Sequence, residues 1–240
     1  MTAAVAGAAG ALGRAIARRL AEAGYTLVLL DRAGAALKDV ATALGPPHLA
    51  FAVDLRRSRD LERALDRAAR RLGPLRVWVG ATGAMHDHSA LDVPLPVWRA
   101  YLEDNLTAAF AGAQCAARHM RAGGGGGAIV LLGSTAGDDA RSPAGVAYAA
   151  AKAAIPYVVR RLAYECAPFG VRVNAVVPGV VDTAMNDALP AAAVRDLVAH
   201  IPLGRKARPE EVAEAVAFLV GEGGAYITGA CLPVTGGRDL

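Results

Sequence analysis

The chain reads as an α/β protein, a doubly wound parallel sheet with helices on both faces, and three observations carry that reading. Short apolar runs alternate with helical patterns along nearly the whole length; a glycine-rich turn joins the first run to the first helix; and 240 residues, 54% of them apolar, fill one substantial core with no length left for a second. Residues 1–240 are therefore expected to form a single domain.

The elements follow in order. Residues 2–6 form a buried strand, and 12–23 (LGRAIARRLAEA) carry apolar groups at helical spacing until Gly24 stops the helix before the strand YTLVLL at 25–30. The alternation continues with a helix at 34–43, a strand at 48–53, a helix at 58–72 and a strand at 75–80. A helix at 98–120, a GGGGG run at 123–127, a strand at 128–133, a helix at 147–167 and a strand at 171–177 come next. A final helix at 209–220 opens on Pro209 with Glu210 and Glu211 at its positive end, and a strand at 226–233 closes the chain. Between them, 182–208 breaks the alternation; with Pro190, Pro202 and two glycine bends it is expected to cover a substrate. Short apolar strands in such a series belong to a parallel sheet that binds ligands at its carboxyl edge.

Composition removes several classes. A mean hydropathy of +0.32 excludes bulk disorder. The 26 basic and 22 acidic residues give a net charge of only +4, and the arginines are scattered among acids, so no nucleic-acid partner is expected. The N-terminal MTAAVAGAAGALGR lacks the basic start of a secretory signal, and no run is long enough to span a membrane. Cys115, Cys166 and Cys231 are too few and too far apart for a disulfide framework or zinc cluster, which points to a reducing, cytoplasmic setting with no metal.

Gly7, Gly10 and Gly13 stand at the first strand-to-helix junction, where bare backbone turns tightly and offers helix-end amides to a pyrophosphate. Asp31 ends the second strand, 18 residues beyond Gly13; a carboxylate there accepts from both adenine-ribose hydroxyls and opposes a 2′-phosphate. That favours NAD over NADP, with Arg32 beside it leaving some phosphate tolerance. Asp54, after the third strand, suits either an acceptor for the adenine amino group or a cap for the following helix. The turn GATG at 80–83 offers another close backbone approach at Gly80 and Ala81, against the simpler reading of a structural turn.

Tyr148 and Lys152 lie four apart in AYAAAKAAI, on one helical face. Lys152 is expected to lower the proton affinity of Tyr148, whose unperturbed pKa is about 10, and to hold a nicotinamide ribose. Ser134 ends the strand AIVLLGS and can orient a carbonyl or alcohol oxygen, with Thr135 as the local substitute. Asn105, within YLEDNLTAAF, suits a satisfied helix-bend amide holding the backbone, or a water relay to Lys152.

Taken together, GAAGALG at 7–13, Asp31, Asp54, Asn105, Ser134, YAAAK at 148–152, VNAVVPGVVDT at 173–183 and the terminal IPLGR, RPEEV and YITG segments resemble the single-domain short-chain dehydrogenases/reductases over residues 2–237. The resemblance implies a Rossmann-like fold and a catalytic tetrad of Asn105, Ser134, Tyr148 and Lys152. It also implies a cofactor site in which Leu12 and Leu55 join the residues above, and Pro178, Gly179, Val181 and Thr183 contact the nicotinamide side. Two departures stand out: Ala6 and Ala11 replace the threonine and middle glycine of the common TGxxxGxG turn, and GATG replaces NNAG.

The expected function is hydride transfer between NAD and a secondary alcohol or its ketone, by a homotetramer whose partner is a small molecule. Rivals are an NADP-linked 3-oxoacyl thioester reductase and a nucleotide-binding regulatory or scaffold protein without turnover. Candidate pocket segments contain Ala84, Met85, His86, Gly137, Asp138, Pro143, Met185 and Leu189; His86 and His88 could recognise substrate, against the simpler reading of exposed loop histidines.

Overall fold

The computed structural model describes residues 1–85, 89–185, 189 and 191–238. Seven parallel strands form one sheet: β1 (Thr2–Ala6), β2 (Thr26–Asp31), β3 (Leu49–Ala52), β4 (Leu75–Gly80), β5 (Gly127–Leu132), β6 (Val171–Pro178) and β7 (Cys231–Val234). Their spatial order is β3-β2-β1-β4-β5-β6-β7. The chain winds outward from β1 to β3, then returns to lay β4 against the other side of β1. That reversal opens a crevice beyond the carboxyl ends of β1 and β4, where ligands of such sheets bind.

Helices cover both faces because the strands are apolar on both. On one side α1 (Ala11–Glu22), α2 (Gly34–Leu44) and α8 (Pro209–Val220) bury Ile16, Leu20, Leu37, Val212 and Val216 against the odd-numbered side chains of β1 and β2. On the other, α3 (Ser58–Leu72), α5 (Ala108–Ala122) and α6 (Val146–Cys166) pack Leu61, Leu65, Ala113, Ile155 and Val159 around Trp78 and Ile129. The segment after β6 carries α7 (Ala191–Ala199) and is tied down by a bridge between Val181 and Ala207. Among the described residues no helix is long and apolar enough to cross a membrane.

Two expectations need correction. The helix expected at 98–120 is broken into α4 (Leu95–Leu102), a π-helical turn at Glu103–Thr107 and α5. Asn105, inside that turn, donates its side-chain amide to the Tyr101 carbonyl four residues back (2.9 Å), and a side chain competing for a helix carbonyl favours the widened turn. The last strand is only Cys231–Val234, because 226–230 is a loop clamped to β6. The buried Asn174 amide donates to the Ile227 carbonyl (2.8 Å) and accepts from the Ala230 N–H (3.0 Å), and Gly229 adopts φ +77° between them.

Candidate active site

The crevice has two halves that share the wall Ala81–Thr82–Gly83. One half is lined by Gly7, Gly10, Asp31, Arg32, Asp54, Leu55, Arg56 and Asp104. Gly7 takes φ +80° and lies so close to the β4 turn that a Cβ would sit 2.6 Å from the Ala81 carbonyl oxygen. Gly13 faces inward, where a Cβ would meet the Gly7 carbonyl at 2.0 Å; it packs α1 onto the turn and does not line the crevice. Gly80 likewise stays in the sheet, against Leu131. Leu12, the second residue of α1, reaches the other half of the crevice.

This first half fits a dinucleotide by its own chemistry. The N-terminus of α1 begins at Gly10 with no side-chain cap and no acid in its first turn, so helix-end N–H groups remain for an anion. The Thr82 hydroxyl, buried in the shared wall, has no partner among the described residues. Asp31 accepts from the backbone N–H groups of Ala9 and Ala33, both at 3.0 Å, and so ties the glycine turn to the carboxyl end of β2. Arg32 is drawn to Asp104 (3.3 Å). Asp54 does not cap α3, whose N-cap is Arg57 without a side-chain bond. Its carboxylate instead accepts from the Arg56 backbone and guanidinium (2.6 Å at the shortest), and these bonds pull its pKa down to about 2.

The other half holds the candidate catalytic groups. Ser134 leaves β5 in extended conformation, its Oγ accepting from the Ala136 N–H (3.2 Å). Tyr148 on the first turns of α6 shares a side-chain hydrogen bond with Ser134 and is 7% exposed. Burial pushes the phenol pKa up, and the Ser134 bond partly opposes it. Lys152 is buried, its Nζ donating to the Leu132 carbonyl (2.8 Å) and lying 5.7 Å from the Tyr148 ring centre. Loss of solvent lowers its pKa to about 8.

Lys152 thus has the expected place, but the expected lowering of the Tyr148 proton affinity is not what this arrangement gives: burial dominates, and the ammonium is held by a carbonyl. Asn105 holds backbone, not a lysine; its amide exchanges hydrogen bonds with Ala84 (2.9 and 3.1 Å) as well as Tyr101. It adjoins Lys152 through Gly83, where a Cβ would meet Asn105 Oδ1 at 3.0 Å and Lys152 Nζ at 3.7 Å. Pro178, Gly179, Val181 and Thr183 line this half, as do Thr135, Met85, Pro143, Met185 and Leu189. Ala84, Gly137 and Asp138 do not, and His86 and His88 lie outside the described residues. Sequence reading missed Thr82, Gly83, Leu197 and Arg238. GATG was visible for the first two, whereas nothing in local pattern marks the others.

Comparison with known proteins decides the family. A family model described as enoyl-(acyl carrier protein) reductase matches residues 7–239. Cis-4-hydroxycyclohexanecarboxylate dehydrogenase of Sinomonas cyclohexanicum is 40% identical, over 97% of this chain and 94% of its own. This chain is a short-chain dehydrogenase/reductase. Another relative of this short-chain dehydrogenase/reductase, the (3R)-3-hydroxyacyl-CoA dehydrogenase of Rattus norvegicus, is 34% identical over 97% of the chain and 94% of its own. The crystal structure of a short-chain type dehydrogenase/reductase from Mycobacterium marinum superposes with a TM-score of 0.92 at 32% identity, covering 99% of this chain and 94% of that one. The chain is accordingly an oxidoreductase of the nicotinamide-dependent kind.

Proposed function

We propose that the protein catalyses the reversible NAD-linked oxidation of a secondary alcohol to its ketone. The observation that carries the reading is the half-buried Ser134 hydroxyl paired with the buried Tyr148 beside Lys152, opening on a crevice whose far half ends at Asp31. Bound NAD supplies the acceptor for the hydride that leaves the alcohol carbon. Ser134 orients the substrate oxygen, and Tyr148, once deprotonated, takes the hydroxyl proton. Lys152 holds the ribose next to the nicotinamide, and with a pKa near 8 it gives up and regains protons readily. Asn105 holds the backbone at Ala84, and Gly83 leaves the space in which the Asn105 amide adjoins the Lys152 ammonium. Gly7, Gly10, Leu12 and Ala81 hold the phosphates and Asp31 the adenine ribose, with Asp54 and Leu55 at the base and Pro178, Gly179, Val181 and Thr183 at the nicotinamide. The 182–208 segment covers the substrate through Thr183, Met185, Leu189 and Leu197.

Asp31 supports NAD by like-charge repulsion of a 2′-phosphate, and Arg32 is already paired with Asp104. A second reading, NADP-linked reduction of a 3-oxoacyl thioester, draws on Arg32 and Arg56 at that rim and on the family model's acyl carrier protein substrate. Absorbance assays of alcohols with NAD and NADP, and of a 3-oxoacyl thioester with NADPH, separate the two: alcohol turnover with NAD supports the first, and NADPH-dependent loss of the thioester supports the second.

We also propose a cytoplasmic homotetramer. The outer faces of α5 and α6 expose Phe110, Tyr157 and Tyr164, and α8 with the loop after it exposes Phe218 and Tyr226. Light scattering on the eluting protein should give about four chain masses; a stable, fully active monomer refutes this.

A further inference from the structure

The chain reverses after β7 through Thr235–Gly236–Gly237, and both glycines have positive φ (+66° and +90°). A Cβ on Gly236 would meet Ile201 at 2.7 Å and one on Gly237 would meet Pro202 at 3.0 Å, so the turn lies directly against the covering segment. This close fit delivers Arg238 to the substrate half of the crevice. Its side chain is 11% exposed; one Nη donates to Asp139 (2.8 Å) and the other reaches the hydroxyl of Thr135, the neighbour of Ser134, at 3.3 Å. The Nε is buried and has no partner among the described residues.

A purely structural guanidinium would have its donors satisfied, because an unmet buried N–H is costly. Among the described residues the Arg238 Nε has no acceptor, and the side chain lines a crevice walled by Pro143, Val180, Met185 and Leu197. Nor, among the described residues, is its charge fully matched: Asp139 is shared with the exposed Arg141 (3.4 Å), and Asp138 is exposed and off the crevice. Among the described residues two cations thus divide one carboxylate, and the buried one lines the half of the crevice that holds Ser134 and Tyr148. We infer that Arg238 is a specificity-determining residue that binds a carboxylate on the substrate, making the substrate a hydroxy acid and the product a keto acid. The inference takes the alcohol–ketone reading for the reacting carbon, but the anion affinity needs no turnover. An acyl thioester, lacking a carboxylate at that place, gains nothing from the guanidinium.

The test is calorimetric titration of the NADH-loaded protein with cyclohexanecarboxylate, benzoate and butanoate, each against its amide, for wild type, Arg238→Lys and Arg238→Gln. For at least one pair the wild type should bind the acid about tenfold or more tighter than the amide, the order expected of a charge-assisted hydrogen bond. Arg238→Gln should bring that ratio to about one, and Arg238→Lys, a point charge without the fork, should retain part of it. Ratios near one for every wild-type pair, or a preference that survives in Arg238→Gln, overturn the inference. The wild-type ratios stand even if a variant fails to fold. Cyclohexanol and 3- and 4-hydroxycyclohexanecarboxylate are then assayed with both cofactors. Selective acid binding with no oxidation of any of them keeps the anion site and removes the alcohol reading; oxidation of cyclohexanol with ratios near one does the reverse.

Discussion

The two halves of the crevice treat charge in opposite ways. At the adenosine end, Asp31, Asp54, Asp104, Arg32 and Arg56 form a partly solvated network in which every charge has an opposite neighbour or a backbone donor. At the reacting end Tyr148 and Lys152 are buried, and desolvation shifts both toward their neutral forms. In the proposed function one end recognises through fixed charge, and the other keeps its groups poised to exchange a proton. Substitutions at the reacting end should therefore cost rate, and those at the adenosine end should alter selectivity or do little.

The largest effect is expected from Tyr148→Phe, which removes the group that moves the proton: kcat should fall on the order of 10³-fold with little change in thermal stability. Comparable turnover by the variant would erase the distinction between the halves.

Lys152→Met sharpens the comparison through stability. The native pKa, lowered from 10.5 to about 8, means that the unfolded chain binds more protons between those values, so folding stability rises with pH across that window. Below it, burying the charge opposes folding by up to about 3 kcal/mol, less whatever the Leu132 bond returns. The variant should melt higher than wild type at pH 7 while losing activity, and its advantage should shrink toward pH 10. Denaturant titrations at the two pH values give the sign; a variant less stable at pH 7 contradicts it.

Asp31→Ala should lower the NAD over NADP ratio of kcat/KM by about tenfold, the scale of one lost charge-assisted interaction. The smallest effect is expected from Arg56→Ala. Its pair with Asp54 is more than a third exposed on the arginine side, so solvent screening limits its loss to under about 1 kcal/mol at pH 7. Because Asp54 has a lowered folded pKa, that contribution is present above its ordinary value of 3.8 and disappears as pH falls through about 2. Chemical denaturation across that range measures it.

What the sequence revealed follows the same division between local and distant interactions. The glycine turn, the strand-ending Asp31 and the Tyr148–Lys152 spacing are short-range patterns, and the structure gathers them along one crevice. The bend at the π-helical turn was half legible, since Asn105 suited a helix-bend amide and its bond to Tyr101 is local, whereas its bonds to Ala84, 21 residues away, were not. The shortened β7 depends on Asn174 holding a loop more than 50 residues on. Arg238 looks like a tail residue until the fold sets it against Thr135 and Asp139. Asp54 offered two plausible partners in sequence, and its own neighbour Arg56 took the carboxylate.

The central claim is that Ser134 with the buried Tyr148 and Lys152 moves a proton while a nicotinamide cofactor accepts hydride from a secondary alcohol. The most direct measurement is the nicotinamide absorbance of wild type and Tyr148→Phe with NAD and a panel of secondary alcohols and hydroxy acids, followed by identification of the product. The account predicts NADH formed in equal amount with the ketone by the wild type, and almost none by the variant. Stoichiometric NAD binding with no reduction across the panel, or near-equal rates for the two proteins, would contradict it.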